Sequence, residues 1–338
     1  MDFMKRVYAL DESEQRKLRF LYRQGGIDTR YSVVPDYSLP ADDWQFFPPT
    51  ENLQPFPSLE QRMQWYKAHA AALSLKSIKK CLGDRTASDV THLITVSCTG
   101  MSAPGLDIEL VRMMNLSPST QRHSINFMGC YAAVHAMKLA DAFCKADPDA
   151  TVLIVCTELC TLHFQKEATP DNMTSSMLFG DGSAALLVSG NNDQAGVKLE
   201  NFYGVIADKG INDMSWELSS KGFLMTLSSY VPALIEEDFN SLVEQALESG
   251  GVKREEITHW CIHPGGKKIL EAVSRSMKLQ ETDLVQSYSV LRQFGNMSSP
   301  TILFVLDQIL NKEVSFRGKI FGAAFGPGLT METFILSA

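Results

Sequence analysis

Residues 127–140 read FMGCYAAVHAMKLA and residues 293–306 read QFGNMSSPTILFVL. In the first stretch a short apolar run stops at Gly129, and Cys130 precedes an alanine-rich segment of helical spacing. In the second, Phe294-Gly295-Asn296 stands before another helical segment. The surroundings echo as well. Val90-Thr91-His92-Leu93 is answered by Ile257-Thr258-His259-Trp260, and each opens an apolar strand. From His92 to His259 is 167 residues, and from Cys130 to Asn296 is 166. The later strands, TVLIVCT at 151–157 and KIFGAAF at 319–325, keep a similar offset. Echoes in one register indicate a duplicated chain, two similar halves about a pseudo-twofold axis. That symmetry predicts Cys130 and Asn296 at equivalent strand-to-helix junctions that meet at the axis.

Between residues 89 and 190 short apolar runs alternate with helical stretches: THLITVS then LDIELVRMMN, HSINFM then YAAVHAMKLADAF, TVLIVCT, and later SAALLVS. Near-continuous apolar strands alternating with helices indicate sheets covered on both faces, a layered α/β fold. Ahead of this, residues 11–24 suit a charged helix ended by Gly25-Gly26. Six prolines in 35–57 read as an extended covering segment, and 60–82 return to helical spacing.

The 338 residues carry 45% hydrophobic side chains, enough for a large core and too many for a disordered chain. A net charge of −8 argues against bulk binding to nucleic acid or to an anionic membrane. Seven scattered cysteines are an odd number with no CxxC pair, which fits a reducing compartment rather than a disulfide framework. The charged N-terminus has no signal core and no apolar run approaches a membrane span, so the chain reads as soluble and cytoplasmic.

Chemistry concentrates at a few positions. Cys130 at a helix start receives backbone N–H dipoles that favour thiolate. His263, in CIHPGG at 261–266, ends an apolar strand before a tight loop, where ligands bind in α/β sheets. Asn296 serves as a helix N-cap or, by its equivalence to Cys130, as an amide donor to an oxyanion. Cys156, Cys160 and His163 form C-x3-C-x2-H, a poor zinc motif without an obvious fourth ligand.

These three residues, each in its local sequence, resemble the type III polyketide synthases, the chalcone and stilbene synthase family. The resemblance is carried in order by SCTGMSAPGLD, FMGCYAAVHAMKLA, VCTELCTLHF, MLFGDGSAAL, CIHPGGKKIL, QFGNMSSPTILFVL and FGAAFGPGLTMET between residues 91 and 333, with YRQGGIDTRY at 22–31 upstream. It implies a thiolase fold of duplicated α/β/α/β/α layers and a homodimer, with Met101 to Pro104 near the interface. It implies acyl-CoA and malonyl-CoA as substrates and no metal, cofactor or prosthetic group. The expected halves are 1–190, carrying the nucleophile Cys130, and 191–338, carrying His263 and Asn296. Family members open with a further strand that has no counterpart here, so the first half is expected to be one strand short.

The resemblance makes Cys130 the acyl-accepting thiolate, His263 its imidazolium partner, and His263 with Asn296 the oxyanion donors. Phe179 matches one of two gatekeeper phenylalanines, and the second position falls near Met225. Thr99, Cys160, Leu162, His163 and Ser298 align with cavity-lining positions, and Trp216 stands where plant members carry a small residue. For coenzyme A, Lys17 is retained while Phe20 and Gln24 replace basic residues; Arg16, Arg19, Arg23, Lys267 and Lys268 lie near enough to stand in. The competing readings are an initiating β-ketoacyl synthase of fatty-acid synthesis and a catalytically weak partner subunit. PGG after His263 and the FGPGLTMET ending favour the polyketide synthase.

Overall fold

The computed structural model describes residues 2–8, 10–50, 52–191, 196–312 and 317–338. The chain begins with helices α1 (Asp2–Val7), α2 (Glu12–Gln24) and α3 (Leu59–Leu82). Asp11 caps α2, accepting from the Glu14 N–H at 2.8 Å while the Glu14 carboxylate accepts from the Asp11 N–H at 2.9 Å. Ser58 and Gln61 build the same reciprocal box on α3, satisfying donors that a helix start leaves bare. The proline-rich segment between these helices is more compact than an extended cover. The buried Asp36 carboxylate accepts from the N–H groups of Gln45, Phe46 and Phe47 at 2.7–2.9 Å. The segment thus folds back on itself and seats Tyr37 and Phe47 against Phe3 and Phe164.

The first sheet is built from β1 (His92–Ser97), α4 (Leu106–Met114), β2 (Gln121–Asn126), α5 (Ala132–Ala146), β3 (Thr151–Leu159), α6 (Pro170–Leu178) and β4 (Asp181–Ser189). Its order is β2-β1-β3-β4, parallel except for β4. The second sheet comes from β5 (Lys198–Ile206), then β8 to β10 after an intervening hairpin. In chain order these are β6 (Met214–Ser219), β7 (Gly222–Leu227), α7 (Val231–Ser249), β8 (Ile257–Ile262), α8 (Lys267–Met277), α9 (Val285–Phe294), α10 (Thr301–Lys312), β9 (Lys319–Gly326) and β10 (Thr330–Ser337). Its order is β5-β10-β9-β8, with β8 and β9 parallel and β10 antiparallel to both neighbours. The β6–β7 hairpin pairs only with itself.

Helices α5 and α10 lie between the sheets. Their buried faces (Ala133, Ala136, Met137, Ala140 and Ile302, Val305, Leu306, Ile309) share one core with β1, β3, β9 and β10. Helices α3 and α4 cover the outside of the first sheet and α7 and α8 the outside of the second. This is the α/β/α/β/α layering of a thiolase fold. The duplication extends to single bonds. The Thr91 hydroxyl lies 2.8 Å from His92 Nδ1 and donates to the Thr151 carbonyl at 3.1 Å; Thr258 lies 2.9 Å from His259 Nδ1 and donates to the Lys319 carbonyl at 3.1 Å.

The halves differ in two places. Helix α9 occupies the chain position that β2 holds in the first half, so Asn296 follows a helix and not a strand. The expected strand-to-helix equivalence holds only for Cys130. In addition, β5 flanks β10, whereas among the described residues no strand flanks β4 on that side. No described helix is long and apolar enough to cross a membrane.

Candidate active site

Cys130 sits in a single helical turn, Gly129–Tyr131, that runs into α5. The turn needs glycine at 129: its φ is +79°, and a Cβ there would come within 2.3 Å of Pro327. Gly326, on the same loop, could not carry a Cβ either, since it would meet the Tyr131 ring at 2.6 Å. The loop 326–328 of the second half is therefore pressed against the nucleophile turn of the first.

Asn296 approaches from the other side. Its Oδ1 lies 3.8 Å from Cys130 Sγ and accepts from the Ser298 N–H at 2.7 Å. With Oδ1 fixed in this way, the amide nitrogen is left to donate, 3.9 Å from Sγ and 3.5 Å from the Gly265 carbonyl. The backbone of Asn296 is clasped to the segment of Phe179: its N–H donates to Leu178 and its carbonyl accepts from Gly180, at 2.9 and 3.0 Å. His263 follows β8, its N–H bonded to the Ala323 carbonyl at 2.8 Å. The ring is fully buried, and neither nitrogen has a protein partner. A buried polar group without a partner costs about 1–3 kcal/mol, a cost that sites for ligands tolerate.

Cys130, His263 and Asn296 line one cavity of about 420 Å³. Thr99, Cys160, Phe179, Trp216, Met225 and Ser298 line it too, with Lys267 and Lys268 at the start of α8. Trp216 and Met225 face each other across the β6–β7 pair, and the Trp216 ring N–H donates to the Cys98 carbonyl at 2.7 Å. A second cavity, about 1000 Å³, shares Cys160, Met177, Phe179, Trp216 and Met225 with the first. One layer of side chains separates the two.

Two cavity-lining expectations change, and Lys17 stands outside both cavities. Leu162 lies in the core with Phe3, Tyr8, Phe47 and Phe164 and lines neither cavity; its carbonyl is held by the Arg62 guanidinium, which points its residue inward. His163 lines only the second cavity. Its Nε2 lies 2.7 Å from the Thr99 carbonyl and its Nδ1 accepts from the Phe223 N–H at 3.0 Å, so it is a neutral brace beneath Trp216. Lys17 lines neither cavity; α2 contributes Leu21 and Gln24 to the first. Cys156 packs in the core between the sheets, away from Cys160 and His163, so the C-x3-C-x2-H segment does not converge.

Sequence reasoning missed Glu158. It is fully buried and accepts from the Cys98 N–H and Thr99 hydroxyl at 2.8 Å and the Ser299 hydroxyl at 2.6 Å. Burial pushes its carboxyl up to about 7. The available signal was a lone acid inside the apolar strand TVLIVCTEL.

Electrostatics also qualifies the idea of a thiolate made by the helix start. Burial pushes Cys130 up to about 11, against the lowering by Ser298 and Asn296, and pushes His263 down to about 3. Neither charge is favoured alone. The unliganded site therefore favours the neutral thiol and the neutral ring.

Models of the N-terminal and C-terminal domains of the chalcone and stilbene synthases match residues 3–192 and 205–338. The chain is 30% identical to an alpha-pyrone synthesis polyketide synthase-like protein, Pks18, of Mycobacterium tuberculosis, over 96% of this chain and 82% of that protein. It is 32% identical to a putative chalcone synthase of Bacillus subtilis, over 87% and 85% of the two chains. Among solved structures it resembles the polyketide synthase PKS-I of the brown alga Ectocarpus siliculosus, with a TM-score of 0.88 and 26% identity over 96% and 90% of the chains. The 1,3,6,8-tetrahydroxynaphthalene synthase of Streptomyces coelicolor gives 0.86 and 26% over 99% and 93%.

A shared proton between Cys130 and His263 is directly testable. In His263→Ala the ring that would take the thiol proton is gone, and burial alone holds the Cys130 thiol up. Alkylation of Cys130 by iodoacetamide should then rise with pH well above neutrality and fall by at least about 100-fold at pH 7. An unchanged pH profile in the variant would show that His263 does not share the Cys130 proton.

Proposed function

The chain belongs to the chalcone and stilbene synthase family and is a type III polyketide synthase, a condensing acyltransferase that uses acyl-CoA and malonyl-CoA; from that premise we propose how its own residues divide the work. Cys130 gives its proton to His263 and attacks the carbonyl of an acyl-CoA. The C–S bond to coenzyme A breaks, and the departing thiolate takes a proton back, leaving the acyl group on Cys130. Malonyl-CoA then enters, CO2 leaves, and the enolate oxygen is held by His263 and the Asn296 amide. The enolate carbon attacks the Cys130 thioester, the new C–C bond forms, and Cys130 departs as thiolate. The lengthened chain, now on coenzyme A, reloads Cys130 for the next round and is finally released, cyclised.

The observation that supports this division is the convergence of a half-buried thiol, an amide 3.8 Å away and a histidine with two unpartnered nitrogens. The proposed steps are balanced by these groups and the two thioesters, so the reaction is proposed to need no metal or prosthetic group. Lys267 and Lys268, at the start of α8, are proposed to hold phosphates of coenzyme A, with Lys17 on the nearby face of α2. Thr99, Cys160, Phe179, Trp216, Met225 and Ser298 are proposed to shape the chamber. All seven cysteines are free, which supports a cytoplasmic setting.

We expect Cys130→Ala to keep decarboxylating malonyl-CoA through His263 and Asn296. Asn296→Ala should still be acylated at Cys130 and lose decarboxylation by roughly 10²–10³, the worth of one oxyanion donor. Released CO2 and acyl-enzyme are measured separately; equal loss of both activities in both variants refutes the division.

Product length depends on Trp216. Trp216→Gly joins the chamber of about 420 Å³ to the neighbouring cavity of about 1000 Å³, and products should gain one or more malonyl-derived units. Melting temperature is followed beside product mass, because loss of a packed tryptophan costs ~3–5 kcal/mol. A folded variant with unchanged products removes Trp216 from the chamber.

The enzyme is proposed to act as a homodimer, with Met101 to Pro104 near the interface. Met101 is 48% exposed in the single chain. Sedimentation at micromolar concentration should give twice the 37.5 kDa chain mass; an active monomer contradicts it.

A further inference from the structure

The chain carries a net charge of −8, yet α2 carries four cations and no acid between Gln15 and Gln24: Arg16, Lys17, Arg19 and Arg23. Among the described residues none of the four has an ion-pair or hydrogen-bond partner. Leu21 and Gln24 of the same helix line the cavity that holds Cys130, opposite Lys267 and Lys268. At about 100° per residue, Lys17 shares the face of Leu21 and Gln24. Arg16 and Arg19 lie roughly 110° and 170° round the helix from it and line neither cavity, whereas Arg23 lines the neighbouring cavity of about 1000 Å³.

A ligand in the Cys130 cavity meets the side of α2 that carries Leu21 and Gln24. Arg16 and Arg19 address something larger, on the protein surface. Two exposed aromatics flank that cavity. Phe20, next to Leu21, is 65% exposed, and Tyr230, between the channel-lining Ser229 and Val231, is 71% exposed. Unpaired arginines beside exposed aromatic rings make a surface suited to carboxylates on a protein helix, because the guanidinium fork binds carboxylates in pairs.

We propose that this surface docks an acidic acyl carrier protein, which presents an acyl group on its phosphopantetheine arm through the channel to Cys130. The inference rests on Cys130 as the acylated residue. The arm has the same thioester end as coenzyme A, so the transfer is the same exchange. The Cys130 thiol proton passes to His263 as sulfur attacks the acyl carbonyl. The C–S bond to the pantetheine breaks, and its thiolate regains a proton. Charge complementarity between a basic patch and an acidic partner acts mainly on the rate of encounter and fades with salt.

The test compares one acyl group on coenzyme A and on the holo acyl carrier proteins of the enzyme's own host. Both donors are followed by mass spectrometry of intact Cys130-acylated enzyme. The wild type should accept the acyl group from a carrier protein, with a rate that falls steeply as salt rises. The double variant Arg16→Glu/Arg19→Glu, two positions that line neither cavity, should lose at least about tenfold in kcat/KM for the carrier-bound donor. Its rate with acyl-CoA should change by less than about twofold. No transfer from any carrier protein overturns the proposal, and so does an equal loss with both donors, which would assign the arginines to coenzyme A. Loss of binding to phosphatidylglycerol vesicles with carrier kinetics unchanged would assign the surface to a membrane and also overturns it. Failure of acyl-CoA itself to label Cys130 would instead refute the catalytic reading on which the proposal rests.

Discussion

The contact on which the site depends is the close approach of two turns from opposite halves of the chain. The Cys130 turn and the 326–328 loop touch so tightly that neither Gly129 nor Gly326 has room for a Cβ. This approach follows from the packing of α5 and α10 as one layer between two sheets. The small residues on α5, Ala133, Ala136 and Ala140, allow that layer to be thin. A protein interior packed to crystal density transmits such a constraint directly. A displacement of either helix would change the 3.8 Å approach of Asn296 to Cys130.

The same packing sets the electrostatics. For Cys130, His263 and Glu158 alike, burial is the dominant influence on ionisation. Burial raises the thiol and carboxyl and lowers the imidazole, so the unliganded site favours neutral forms. The Glu158 carboxyl is surrounded by donors on β1, its following loop and the turn before α10. It therefore fastens the wall of the chamber in which Thr99 and Ser298 sit. His263 has no such partners, and the contrast separates a bracing group from a group that waits for substrate.

Much of this was legible in the sequence because repetition is a long-range signal that local propensity lacks. The Thr-His echo at 91–92 and 258–259 reports a duplicated hydrogen-bond arrangement, and the offset between Cys130 and Asn296 places them together. The strand expected before Asn296 is helix α9 instead. The second half has diverged there, and the echo of FMGC in FGN preserves the turn without the element that leads into it. Leu162 was misplaced because an alignment position beside Cys160 carries no information on which way a side chain points in a one-turn helix. The fold of 35–57 around Asp36 was hidden for a different reason. A carboxylate that gathers three backbone N–H groups from nine to eleven residues downstream leaves no periodic trace.

What ties fold to chemistry in this account is the identity of the acylated atom. Three thiols, Cys98, Cys130 and Cys160, line the same chamber, and only Cys130 has both the helix start and the Asn296 amide beside it. The most direct measurement is brief incubation with an isotopically labelled acyl-CoA, followed by digestion and mapping of the adduct. The label is expected on Cys130 alone; label on Cys98 or Cys160 with Cys130 unmodified would contradict the account.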